Sequence, residues 1–209
     1  MKYARFAVIG AVVLLGLSAA ACEAEEAWSS LASPDGTFRI EFSVGDKGKP
    51  LYRVRRGEDE VILPSGLGFV EAGGEDWTGG YVKAELGAAE LHDSSWRPVW
   101  GERSLVRDHY RGAVVLFRRP GPLAGLKLEV RAYDSGVAFR YLVGARGEKK
   151  SINIDSEKTE FCFTADHKTW AVYSAQGKYS KVKLSELRSS VERPCVLETG
   201  AGKVIAIAE

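Results

Sequence analysis

A hydrophobic period of two constrains this chain more than any other feature. Thr37-Phe38-Arg39-Ile40-Glu41-Phe42-Ser43-Val44 alternates without a break, which puts Phe38, Ile40, Phe42 and Val44 on one face of an extended strand. Gly45-Asp46-Lys47-Gly48 reads as a turn, and Leu51-Tyr52-Arg53-Val54-Arg55 resumes the alternation as the returning strand. Leu126 to Tyr133 alternates again, with Leu126, Leu128, Val130 and Ala132 inward. Asp134-Ser135-Gly136 turns the chain back into Val137–Val143, which predicts a β-hairpin.

Val114–Arg118, Lys158–Phe163, Trp170–Tyr173, Cys195–Glu198 and Val204–Glu209 are further strand candidates, and only Leu184–Ser189 suggests a helical turn. Gly73-Gly74 and Gly79-Gly80 bracket a loop that holds Asp76 and Trp77. The 23 glycines suit tight turns better than long helices, and no fixed-period repeat is present. The expected fold is all-β, one large antiparallel β-sandwich. An apolar fraction of 45% supplies its core and argues against disorder. A net charge of +1 excludes a generally basic nucleic-acid binder.

The first residues follow a different pattern. Lys2 and Arg5 precede an uncharged run from Phe6 to Ala21 that closes on small residues. The run is shorter than the ~18–20 residues of a spanning helix, so residues 1–21 read as a secretory signal peptide. Cys22 follows three alanines, an arrangement that resembles a bacterial lipobox with Ala19 in place of its usual leucine. Cys22 is thus a candidate lipid-attachment site, with plain cleavage after Ala21 as the alternative. Either route takes the mature chain to the periplasm or the outer-membrane envelope, and any membrane contact is through that anchor. Residues 22–32 read as a linker and 33–209 as the folded domain. Cys162 and Cys195 remain as a bridge or as two buried thiols, and no spacing suggests zinc.

Chemistry-bearing residues are densest from Trp96 to Tyr110. Two tryptophans there can stack on sugar faces while Arg, Asp, Glu and His bond hydroxyls. The same composition also describes a strand-edge ion-pair network with packed aromatics. Asp108 and His109 are neighbours on a strand and so point to opposite faces, which speaks against a relay. No nucleophile elbow accompanies them. Gly121-Pro122-Leu123-Ala124-Gly125 fits no phosphate loop, and Tyr173 and Tyr179 flank a turn at Gln176-Gly177. Glycoside hydrolysis needs two converging carboxylates, which sequence alone cannot bring together. Glu209, read alone, is a strand-end carboxylate, and the apolar strand carrying it ends without a polar tail, which suggests a piece of a longer chain.

Four ordered blocks resemble the N-terminal domain of glycoside hydrolase family 97. They are Ser33-Pro34-Asp35-Gly36, then Pro98–Ser104 with Arg107–Tyr110, then Arg131–Tyr141, and last Leu197-Glu198-Thr199 with Ala206–Glu209. The resemblance implies a β-sandwich that scaffolds a (β/α)8 barrel in a bacterial α-glucosidase or α-galactosidase. The catalytic acid and base would sit on that barrel, and a barrel takes ~250 residues. None is available here, so no catalytic residue carries over and the chain alone is expected to be inactive. The resemblance further implies a calcium ion in the complete enzyme, with Glu209 as one ligand and the others on the barrel. The implied partners are an α-glucoside or α-galactoside and a barrel in the same or a neighbouring chain. The alternatives are a free-standing envelope lipoprotein that binds carbohydrate and a remnant without function.

Overall fold

The computed structural model describes residues 27–121, 125–143, 151–188 and 190–208. The alternating segments become sheets as their apolar faces demand. β1 (Ser29–Ala32), β2 (Phe38–Val44), β3 (Pro50–Arg56) and β4 (Asp59–Gly66) form an antiparallel meander. A short β5 (Phe69–Glu71) follows. β6 (Lys83–Leu86), β7 (Glu90–Trp96), β8 (Val106–Arg118), β9 (Leu126–Tyr133) and β10 (Gly136–Leu142) make the second large sheet. Its order is β10-β9-β8, and β6 and β7 share the far edge of the long β8. β11 (Ile154–Glu157) pairs with β5. β12 (Lys168–Ala171), β13 (Ser180–Lys183), β14 (Cys195–Glu198) and β15 (Val204–Ile207) form a last sheet, in the order β13-β12-β14-β15.

The two large sheets enclose one core. Ile40, Phe42, Tyr52 and Val54 come from the first sheet, and Val115, Phe117, Leu128 and Val130 from the second, all of them buried. Phe42 meets Phe117 edge to face, with ring centroids 6.3 Å apart. Each such side chain contributes roughly 1.5–3 kcal/mol on leaving water. The sandwich and its β9–β10 hairpin follow the alternation read from the sequence.

β2 is also covered on its outer face. Glu41 accepts a hydrogen bond from Arg53 Nε at 2.7 Å, and the Arg53 guanidinium lies 4.2 Å over the Trp28 ring. Residues 29–32, read from the sequence as the end of a linker, form β1, and Leu31 lies in the core. The strand expected over Lys158–Phe163 is displaced to β11. The backbone after it still runs along an edge, with Glu160 N donating to Gly66 O and Leu63 N to Cys162 O, both at 2.8 Å. β12 lies two residues earlier than Trp170–Tyr173, and the helical turn is a single 3-10 turn at Leu184–Glu186.

Burial sets the alkaline limit of this fold. Desolvation pushes the Tyr81 hydroxyl up to about 12 and raises Tyr52 and Tyr141 as well. The unfolded chain releases these protons near pH ~10. The Tyr81 contribution is therefore complete below pH ~10 and is lost as pH rises through about 12, and those of Tyr52 and Tyr141 are likewise complete below pH ~10 and decline above it. Urea midpoints measured across that range should fall steadily, and a flat profile would contradict the burial of these hydroxyls.

Candidate functional site

The turn between β1 and β2 is built by its own side chains. Gly36 adopts a positive φ of 77°, and its N–H donates to Ser33 O at 3.0 Å. The Asp35 carboxylate accepts from Ser33 Oγ at 2.7 Å, from Thr37 N at 2.8 Å and from Thr37 Oγ1 at 2.6 Å. Thr37 foremost, then Ser33, holds this carboxyl well below the usual carboxylate range.

This turn reaches a second one. Asp35 N donates to Asp134 Oδ1 at 3.0 Å, joining the β1–β2 turn to the β9–β10 turn across the sandwich. Asp134 Oδ2 lies 3.6 Å from His109 Nδ1 on β8. Three of the blocks that carry the family resemblance, around Ser33, Arg107 and Arg131, therefore converge at one end of the molecule.

Asp108 and His109 part company as strand geometry requires. Asp108 accepts from Tyr133 OH at 3.1 Å and lies 3.7 Å from His92 Nε2, whereas His109 faces Asp134. On the Asp108 face the Tyr110 ring lies 4.8 Å from His92 and 5.1 Å from Tyr133, with the Arg131 guanidinium 4.6 Å over it. Glu129 accepts from Arg131 at 2.9 Å and from Arg140 Nε at 2.8 Å, and these two arginines, Arg131 first, hold its carboxyl low. Arg107 forks onto Asp93 at 2.7 and 2.6 Å. Asp93, Asp108 and Glu129 are thus engaged by a hydroxyl or arginines of the same sheet, whereas Asp134 accepts from Asp35 N and lies beside His109. The ion pairs of the second reading are present, but its packed tryptophans are not, since Trp96 and Trp100 are exposed. His92, Asp93 and Glu129 were not singled out from the sequence, although counting the β8–β9 register would have set Tyr110 opposite Tyr133.

The Pro98–Ser104 block behaves differently. It lies in the loop between β7 and β8, on a ribbon paired from Glu90 with Gly112 to Trp96 with Val106. Val99 is 99% and Trp100 88% exposed, and Trp96 and Leu105 are about half exposed. This tip exposes apolar side chains on a regular ribbon, which makes it a candidate contact surface.

The remaining candidates have structural roles. Trp77 is buried and stacks on Phe69 at 5.5 Å, and Asp76 caps Thr78 N at 2.8 Å. Tyr173 carries the Arg188 guanidinium at 4.3 Å, and Tyr179 is exposed. Cys162 and Cys195 are both free thiols, and Cys162 is exposed rather than buried because Phe161–Phe163 runs along a sheet edge. Residues 122–124 of the glycine-proline stretch, Cys22 with the whole export signal, and Glu209 lie outside the described residues. Among the described residues no group of three or more His, Cys, Asp or Glu could hold a metal, and calcium takes ~6–8 oxygens. No helix among them is long and apolar enough to cross a membrane.

With this geometry in hand, three comparisons bear on the chain. The model of the glycosyl-hydrolase 97 N-terminal family matches residues 31–209. A retaining α-galactosidase of Bacteroides thetaiotaomicron is 25% identical, the match covering 86% of this chain and 28% of the relative. A glycoside hydrolase family 97 enzyme from Pseudoalteromonas sp. strain K8, solved with panose and with acarbose, is 26% identical with a TM-score of 0.71. That match covers 82% of this chain and 27% of the enzyme. A β-arabinopyranosidase shares the fold, with a TM-score of 0.74 at 19% identity, over 85% of this chain and 31% of its own. The chain spans less than a third of the length of these relatives.

Proposed function

The chain belongs to the glycosyl-hydrolase 97 N-terminal family, and we propose that it is the β-sandwich on which a separate glycosidase domain is seated. The observation that carries this reading is the Trp96–Leu105 loop. It contains the Pro98–Ser104 block on which the resemblance rests, yet Val99 and Trp100 touch water over almost their whole surface. The Arg107–Tyr110 and Arg131–Gly136 blocks brace the ribbon behind it. The reaction we assign to the complete protein is hydrolysis of an α-glucoside or α-galactoside, and it would take place on the seated domain. Panose and acarbose bound to the Pseudoalteromonas enzyme, and the α-galactosidase activity named for the Bacteroides relative, support that substrate class. The part of the described chain in this assignment is to seat and orient the catalytic domain.

Calcium enters this proposal only through Glu209. Among the described residues no group of three or more His, Cys, Asp or Glu could hold it, and in this proposal the remaining ligands would come from the seated domain. Export and the Cys22 anchor remain part of the proposal on the strength of residues 1–22 alone.

A chimera tests the seating. Residues 31–209 would replace the matching segment of the Pseudoalteromonas enzyme, with and without Val99→Ser plus Trp100→Ser. The native loop should retain hydrolysis of a nitrophenyl α-glucoside. Losing two buried apolar anchors should weaken domain association by about 3 kcal/mol, more than a hundredfold. The chain alone should neither hydrolyse that substrate nor bind panose, and added calcium should change neither result. Saturable panose binding by the chain alone would instead favour a free-standing carbohydrate-binding lipoprotein.

A further inference from the structure

We propose that the outer face of the last sheet, over β12, β13 and β14, is a docking site for an acidic polysaccharide. This sheet has one face turned to the interior and one to water. Thr169, Ala171 and Leu197 are fully buried, whereas Lys168 and Trp170 alternate with the first two on β12 and are exposed. The register sets Trp170 beside Lys181 on β13 and Val196 on β14, and Lys168 beside Lys183 and Glu198. Tyr179, one position before β13 and 58% exposed, continues the alternation of Lys181 and Lys183.

The Trp170 ring is fixed in place although it stands in water. Its Nε1 donates to Glu198 Oε1 at 2.7 Å, while Lys181 Nζ lies 5.1 Å over the ring and 2.5 Å from Glu198 Oε2. Lys181 foremost, then Trp170, holds the Glu198 carboxyl below the usual carboxylate range. An exposed indole held still takes the apolar face of a sugar ring with little further loss of side-chain freedom. Beside it Lys168 and Lys183 stand directly opposite each other, and neither forms an ion pair among the described residues. Like charges so placed repel, and an anion held between the two ammonium groups removes the repulsion. The acids around this face are already engaged. Glu198 holds Trp170 and Lys181, Glu186 accepts from Lys183 N at 2.9 Å, and Asp166 accepts from Ser185 N and Oγ at 2.9 and 2.8 Å.

The occupant is therefore a polymer that carries a flat ring and a carboxylate on the same unit, a hexuronate polysaccharide. A lipid headgroup offers the charge without the ring. The face belongs to a different sheet from the ribbon that carries the Trp96–Leu105 loop, so this docking does not rest on the seating of a catalytic domain.

The test uses the full chain and an oligogalacturonate, with its methyl ester as a neutral control of the same ring shape. Titration followed by calorimetry should saturate with the acid and be at least tenfold weaker with the ester. Trp170→Ala should weaken binding of the acid at least tenfold and leave the urea midpoint in place. Lys168→Gln plus Lys183→Gln should weaken it at least tenfold and flatten its salt dependence between ~0.01 and ~1 M, across which the screening length falls from about 30 to about 3 Å. The lysine pair decides the matter if Trp170→Ala does not fold. The proposal is overturned by the absence of saturable binding to the folded chain, by equal binding of acid and ester, or by binding that these variants leave untouched. It is also overturned if phosphatidylglycerol vesicles bind as tightly as the oligosaccharide, which would make a membrane the occupant.

Discussion

Phe117→Ala is expected to destabilise the sandwich by about 3–5 kcal/mol, the cost of emptying a fully enclosed aromatic site. Phe117 is 0% exposed at the centre of the second sheet, where it faces Phe42 at 6.3 Å and Tyr81 at 5.9 Å. Phe42 sits on the opposed sheet with its backbone fixed by ladders to β1 and β3, so it cannot collapse into the space. Domains of this kind hold only ~5–15 kcal/mol in total, and the variant should sit near its unfolding threshold at room temperature. Urea denaturation measures the loss directly. Phe42→Ala and the double variant complete a cycle, in which the edge-to-face pair should contribute about 0.5–1.5 kcal/mol of coupling. A single-variant loss under ~1 kcal/mol would mean that the two sheets are not packed as described.

The elements that could be read from the sequence are those whose two faces differ. β9 places Leu126, Leu128, Val130 and Ala132 in the core with at most 2% exposure, so burial prints a period of two on the chain. β7 left no such trace. All seven of its residues are exposed, and its ladder to β8 holds it in place rather than burial. β4 was hidden for a different reason: Pro64 interrupts it, and its pairing with β3 slips twice. The candidate site divides in the same way. The Ser33–Gly36 and Arg131–Gly136 blocks were visible as motifs, but the Asp35–Asp134 bond that joins them spans 99 positions and leaves no local signature. The choice between sugar contacts and ion pairs at Trp96–Tyr110 depended on partners from other strands. Asp93 for Arg107 and Tyr133 for Asp108 appear only once the sheet register is known.

Gly48→Ala should cost about 3 kcal/mol, because left-handed strain and overpacking act together. Gly48 has a φ of 72°, and a Cβ there would lie 2.5 Å from both the N and the O of Tyr81. These are backbone atoms held in place, since Tyr81 N donates to Gly48 O at 3.1 Å and Gly80 N to Lys47 O at 3.3 Å. Relief therefore requires the whole 72–82 loop to lift. That loop seals the core: Tyr81 OH donates to Trp77 O at 3.1 Å, and the Arg119 guanidinium covers both rings at 4.7 and 5.2 Å. Lifting it would wet Trp77, the one buried tryptophan among the described residues, and its emission should shift to the red before global unfolding. Gly36→Ala separates the two causes. Its φ of 77° is similar, but nothing lies within 4 Å of the added carbon. It should lose only the ~1–2 kcal/mol of backbone strain, with no change in emission. If the two variants behave alike, strain alone governs both turns, and the close approach of Gly48 to Tyr81 contributes nothing to holding the loop against the core.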